Sequence, residues 1–283
     1  MMNVSDYCIF SKHLQCLSIE EAAEMAARAG FTGIDLTVRP GGHVDTAAAK
    51  AANINNAVNA IRKAGLSCPM MVTSIVSPDD PEAEAILSAA SDSGITHYRT
   101  GYLEYDYQEG IGNCLDRFRR QMEKLSRLNE QCGIHGSYQN HGGTRPGAAV
   151  WDLWYILKDL DPRWTGCQYD VKHAVMEGGR SWVNGMRVIL PWIKNADIKD
   201  GIWTRHDDGS VHPDTSPLTE GMVDWSIWRK LLTESGFNGP ISLHFEFSLD
   251  PENPPEPGSP GWKERMLKVM QQELAACREI VAG

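Results

Sequence analysis

Two stretches, about a helix and a strand apart, decide the fold: S-Y-Q-N-H-G-G from Ser137 to Gly143, and Q-Y-D-V-K-H from Gln168 to His173. In each, a short apolar and β-branched run ends abruptly in polar side chains able to bind a metal. That is how a barrel or a doubly wound sheet presents chemistry, at the carboxyl ends of its parallel strands.

The same pattern extends in both directions. Strands are expected at Tyr7 to Ser11, Gly33 to Val38, Cys68 to Ser74, His97 to Gly101, Ile134 to His141, Thr165 to Asp170, Trp192 to Lys199 and Ile241 to Phe247. Between them lie helical stretches. One opens at Ser18-Ile19-Glu20-Glu21 with a serine cap and ends near Gly30; others run from Ala47 to Ala64, Pro81 to Ser93, Gly110 to Gln131, Ala148 to Leu160, Ser181 to Leu190, Trp225 to Ser235 and Trp262 to Val281. A long polar loop is expected from Gly201 to Val223, and a stiff proline-rich connection from Pro251 to Pro260. Strict strand-then-helix alternation demands a parallel sheet, because each return needs a crossover. Eight such units in 283 residues close a (β/α)8 TIM barrel, expected as a single domain over 1–283. No G-x-G-x-x-G or P-loop follows any strand, so a nucleotide-binding open sheet has little support.

Composition narrows the partners. The formal net charge is −10, with no Lys/Arg run, which argues against nucleic acid or an anionic membrane and in favour of small molecules. No window approaches the roughly 18 apolar residues of a membrane span, and no basic segment followed by an apolar one opens the chain, so a cytoplasmic protein is expected. Seven cysteines form no C-x-x-C pair and no zinc-spaced cluster; they read as buried small hydrophobes.

The chemistry should sit where strands end. The fifth offers Gln139 and His141, the sixth Asp170 and His173, the seventh Asp197, Lys199 and Asp200, the eighth His244 and Glu246. Residues two apart on a strand share a side, so Gln139 goes with His141, Asp197 with Lys199, and His244 with Glu246. His13 and His43, in the loops after the first two strands, can reach the mouth, and Arg39, Arg99 and Arg205 can bind a sugar hydroxyl, carboxylate or phosphate. The loop from Gly201, with its Asp207-Asp208-Gly209 turn, would either close over substrate or extend a dimer contact, so a homo-oligomer is allowed. Trp182, Trp203 and Trp225 offer aromatic faces suited to sugars, although most tryptophans in such a barrel are packing.

With these residues in place, the chain resembles the xylose isomerase-like TIM-barrel superfamily, the sugar phosphate isomerase/epimerase group related to endonuclease IV. The likeness is carried by the ordered set G-F-T-G-I-D-L-T-V, Q-N-H, D-V-K-H, D-I-K-D, P-L-T-E-G-M-V-D-W and G-F-N-G-P-I-S-L-H-F-E. The resemblance implies a divalent metal held by Glu, Asp, His and Glu on the last four strands, positions that fall here on Gln139, Asp170, Asp197 and Glu246. Two match and two depart, yet both sets carry three formal negatives. Ligands made only of oxygen favour Mn2+ or Mg2+; nitrogen from His173 or His244 would bring Zn2+ into range.

The resemblance also implies proton abstraction next to a carbonyl through a metal-stabilised ene-diolate, in a carbohydrate isomerase or epimerase. Gln139 cannot be a base, so two-carboxylate exchange gives way to one base, Glu246, or to help from His141, His173, His244 or Lys199. His13, His43, His141, Arg205 and His244 are the expected substrate contacts. The alternatives are a lyase or dehydratase on a keto-sugar or polyol acid, since elimination begins with the same carbanion, and a sugar-binding barrel without catalysis.

Overall fold

The computed structural model describes residues 2–45, 51–250 and 253–283. Its strands are β1 (Tyr7–Phe10), β2 (Gly33–Thr37), β3 (Ser67–Val72), β4 (His97–Arg99), β5 (His135–Gln139), β6 (Thr165–Asp170), β7 (Ile193–Ile198), β8 (Asp200–Arg205), β9 (Val211–Ser216) and β10 (Ile241–Leu243). Eight of them close a parallel barrel in the ring order β1-β10-β7-β6-β5-β4-β3-β2. The seam is a true pairing, with Tyr7 opposite Ile241 and Ile9 opposite Leu243. The (β/α)8 expectation holds.

The helices follow local rules. In α1 (Ile19–Ala29) Ser18 and Glu21 form a reciprocal capping box, and Gly30 ends the helix at φ +95°. α2 (Ala51–Lys63), α3 (Ala83–Asp92), α4 (Ile111–Cys132) and α5 (Val150–Leu157) fill the first crossovers. The start of the helix expected from Ala47, and Pro251 of the proline-rich approach, lie outside the described residues. α7 (Trp182–Ile189), α8 (Trp225–Ser235) and α9 (Pro260–Ala282) complete the outer layer.

Three elements differ from expectation. A helix, α6 (Val171–Gly178), starts immediately after β6, where the sequence read as strand end and loop; Asp170 caps it by accepting from the His173 amide. The stretch from Gly201 to Val223, expected as a loop, contains the β8–β9 antiparallel hairpin, turning at Asp207-Asp208-Gly209 with Gly209 at φ +85°. Its strands are mostly polar and mostly exposed or only partly buried, so they lack the apolar alternation by which strands are recognised. Lys172 of α6 ties the hairpin down by donating to Thr215 Oγ1 at 2.8 Å. The last barrel strand is shorter than expected: it ends at Leu243, although the His244 amide still donates to the Ile198 carbonyl at 3.1 Å.

Strands pack tightly at two glycines. A side chain on Gly166 would run into the Trp192 carbonyl and the His135 ring, and one on Gly136 into Asn129 and the Tyr98 ring. Inside the barrel a chain of buried amides rises toward the carboxyl end. Ser137 donates to Asn195 Oδ1, Asn195 to Gln168 Oε1, and Gln168 to Asp197 Oδ1, each at 2.7 Å. No described helix is long and apolar enough to cross a membrane.

Candidate active site

β5, β6 and β7 lie side by side, with Gln139 opposite Gln168 and Asp170 opposite Asp197. Gln139 is the junction of the cluster. Its Oε1 accepts from Arg99 Nη1 at 2.6 Å and from the Tyr102 hydroxyl; its Nε2 donates to Asp170 Oδ2 at 3.0 Å and Asp197 Oδ2 at 2.5 Å. A guanidinium has only donors and these carboxylates only accept, so the amide has one allowed orientation, oxygen toward Arg99 and nitrogen toward the acids.

Asp170 is held on every side. Asn140 grips its backbone, accepting from the Asp170 amide at 2.7 Å and donating to the carbonyl at 2.8 Å, while Oδ1 takes the His173 amide at 3.1 Å. Lys199, just past β7, places its ammonium 3.0 Å from Asp170 Oδ2 and 3.2 Å from Glu246 Oε2. Burial alone would lower the Lys199 pKa; Asp170 and Glu246 outweigh it and hold it up. For Glu246 burial works upward, but Lys199, then His244 and Lys12, hold its carboxyl far below the ordinary range. Lys12 is 3.2 Å from its other oxygen.

The strand-eight residue that reaches Asp197 is His244, with Nε2 3.2 Å from Asp197 Oδ1, and its ring stacks on Phe10 at 4.4 Å. Glu246 sits higher, with the lysines. His173 and His141 lie together, centroids 4.2 Å apart, above Asp170. Burial first, then the Lys199 charge, pushes the His173 pKa well below 6.5, so its ring is neutral. His13 stacks on Phe245 at 4.6 Å, and burial followed by His244 lowers it to about 3.

Two expected contacts do not join this cluster. His43 accepts or donates at Thr37 Oγ1, 3.3 Å away, and braces the loop after β2. Arg205 lies on the hairpin, where its guanidinium donates to the Gly209 carbonyl. A loop position says which end of the barrel a residue is on, not where its side chain turns. Asp35, by contrast, was not foreseen as a site residue. Buried in the middle of β2, it accepts from Ser242 through Oδ2, and burial followed by Asp197 lifts its pKa to about 6. A lone acid inside the apolar run G-I-D-L-T-V was the available signal.

Polar and charged side chains gathered at the carboxyl ends of a closed parallel barrel define a (β/α)8 barrel built to handle a small molecule. More narrowly, the chain belongs to the xylose isomerase-like TIM barrel family, whose model matches residues 23–269. Among solved structures it is similar to a xylose isomerase-like TIM barrel protein from Mycobacterium smegmatis in complex with magnesium, with a TM-score of 0.62 at 19% identity over 92% of each chain. It is also similar to an L-ribulose 3-epimerase, with a TM-score of 0.70 at 12% identity over 99% of this chain and 95% of that one. A D-psicose 3-epimerase, solved in the presence of D-fructose, gives 0.69 at 12% identity over 98% and 100%. No curated protein sequence matches.

The metal implied by the family can be tested on the donor set. Gln139 turns its amide hydrogens, not a lone pair, toward Asp170 and Asp197, and the Lys199 ammonium already lies between Asp170 and Glu246. Gln139, Asp170, Asp197 and Glu246 therefore do not fit an ion as a set. Asp35, Asp197 and His244 do: all are buried, their ligand atoms lie within 4.8 Å of one another, Asp35 Oδ1 has no hydrogen-bond partner, and His244 Nε2, though 3.2 Å from Asp197 Oδ1, makes no hydrogen bond. Two oxygens and a nitrogen suit a divalent cation of the Mn2+ or Zn2+ type. A second group, His206, His212 and Asp214, lies on the hairpin.

Proposed function

We propose that this barrel is a carbohydrate isomerase or epimerase, moving a proton next to a carbonyl with Glu246 as base and Lys199 as the positive charge that steadies the ene-diolate. One observation carries the reading. Among the acids of the cluster, Asp170 and Asp197 are 0% exposed and Asp35 likewise, whereas the Glu246 side chain keeps 32% of its surface open and touches the Lys199 ammonium. Glu246 is therefore the acid a substrate can reach, with the buried Lys199 ammonium against its inner oxygen. The sugar epimerases among the similar structures have the same fold and support the same substrate class.

A carboxylate gripped by two lysines is a weak base. A substrate oxygen that draws the Lys199 ammonium to itself loosens that grip and raises the basicity of Glu246 as the proton is to be taken. Lys199, held against Asp170, then faces the oxygen on which negative charge develops, and in a buried setting such an interaction is strong. The neutral rings of His173 and His141 line the adjacent wall and suit hydroxyl hydrogen bonds. A divalent ion, when bound by Asp35, Asp197 and His244, supplies further polarisation of a substrate oxygen. Gln139 takes no part in proton transfer; it sets the positions of Asp170 and Asp197.

The test is incubation with a panel of ketoses and aldoses in deuterated water, followed by proton NMR at the carbon next to the carbonyl. Exchange is expected with at least one sugar and should fall by about 100-fold or more in Glu246→Gln. Exchange with none of them, or an undiminished rate in the variant, would sink the proposal. A new keto acid in the same spectra would mark elimination instead.

A further inference from the structure

The mouth holds guanidinium charge that closes no ion pair among the described residues. Arg99 is 4% exposed, yet its hydrogen bond goes to the neutral amide of Gln139, and its Nε is buried with no partner. The nearby acids make their close contacts elsewhere: Asp170 and Glu246 with Lys199, Asp197 with His244 and the two glutamines, and Asp35 through Oδ2 with Ser242, so that Asp35 acts on the two arginines only at longer range. Arg39, half-buried at the end of β2, makes no ion pair among the described residues. The two side chains meet at one aromatic ring: the Arg39 guanidinium carbon is 5.8 Å and that of Arg99 5.6 Å from the centroid of Phe10. Like charges gathered on one ring and partly withdrawn from water repel each other and lose hydration, which is costly unless an anion completes them.

Position 139 explains why the charge is left over. A carboxylate there would close an ion pair with Arg99, whereas the amide accepts the hydrogen bond and neutralises nothing. All this occurs in a chain of formal net charge −10, so the cations are concentrated locally against the overall balance. We propose that Arg39 and Arg99, both against Phe10, bind an oxyanion of the substrate, and that the sugar handled by this barrel is an acidic one bearing a carboxylate or a phosphate. The proposal rests on the carbohydrate reading of the same mouth and adds the substrate's charge to it. The planar donor fork of an arginine matches either oxyanion, and two forks hold it with direction as well as charge.

Isothermal titration calorimetry separates the possibilities. The probes are D-fructose, D-fructose 6-phosphate, 5-keto-D-gluconate and inorganic phosphate, titrated into the wild type, Arg39→Met and Gln139→Glu, with circular dichroism to verify the fold of each. One acidic sugar should bind at least about tenfold more tightly than D-fructose, and that preference should shrink about tenfold in Arg39→Met and in Gln139→Glu. It should also weaken as salt rises from about 20 to 300 mM. The phosphate and carboxylate arms identify the group recognised. D-fructose binding as tightly as both acidic sugars, no binding of either acidic sugar, or a preference untouched by Arg39→Met would overturn the inference. Calorimetry needs no turnover, so the two readings fail separately. Acidic-sugar binding without any deuterium exchange removes the isomerase and leaves the oxyanion site; exchange on neutral sugars without anion preference does the reverse.

Discussion

At position 139 an amide stands among groups that would each accept a charged neighbour, and its two ends serve opposite partners: donors at the oxygen, carboxylates at the nitrogen. Lys199 is the corresponding fixed point for charge. Its ammonium, 1% exposed, separates Asp170 from Glu246, so Lys199→Met should leave Asp170 buried against a second carboxylate. Breaking a buried ion pair from one side typically costs about 3–5 kcal/mol, and urea unfolding should show a loss of that order. The double variant with Glu246→Gln should lose less than the sum of the single changes; strict additivity would mean that the two groups do not interact. His244 taught the opposite lesson to Glu246. The sequence favoured Glu246 as base and metal ligand and His244 as a substrate contact, and only the barrel geometry placed the histidine against Asp197 and the glutamate among the lysines.

At the scale of elements, the barrel was legible because short strand-like runs alternate with helical ones and break off in polar residues. The alternation rule was right that residues two apart share a side, and the structure adds that both members of a pair are used, at two heights. Gln139, Asp197 and His244 make the lower tier; His141, Lys199 and Glu246 make the upper one. What stayed hidden was whatever lacks an apolar signature, above all the β8–β9 hairpin, and whatever is decided by a cap, such as α6 starting on the Asp170 side chain. Glycines record close approaches that no pattern announces. Gly166 has no room for a methyl group beside the Trp192 carbonyl, so Gly166→Ala should destabilise by about 3 kcal/mol or more, read as a lowered urea midpoint at unchanged slope. An unaltered midpoint would mean that β6 can move away from the segment before β7.

For the whole molecule, Glu273 joins the last helix to the segment after the hairpin. It is 6% exposed and accepts from the Leu218 amide, and burial, reinforced by Glu220 and Asp200, lifts its pKa from 4.5 to about 7. A carboxyl whose folded pKa lies above its unfolded value binds its proton more tightly when folded. Its stabilising share is therefore complete below about pH 4.5 and is lost as pH rises through about 7. Glu273→Gln should match the wild type near pH 4.5 and be more stable at pH 8, by about 1–2 kcal/mol after allowance for solvent screening; equal stability at both would show that the group is not strained. The seam between β1 and β10 has a consequence for how the chain is made. Tyr7–Phe10 leaves the ribosome early, and the partner of its outer edge, Ile241–Leu243, is among the last strands to emerge. Until then the nascent sheet is an open ribbon whose first strand offers unpaired amides and carbonyls to any passing chain. Ring closure is thus a late, long-range event, and synthesis rather than the finished barrel is the stage at which this protein is most exposed to aggregation.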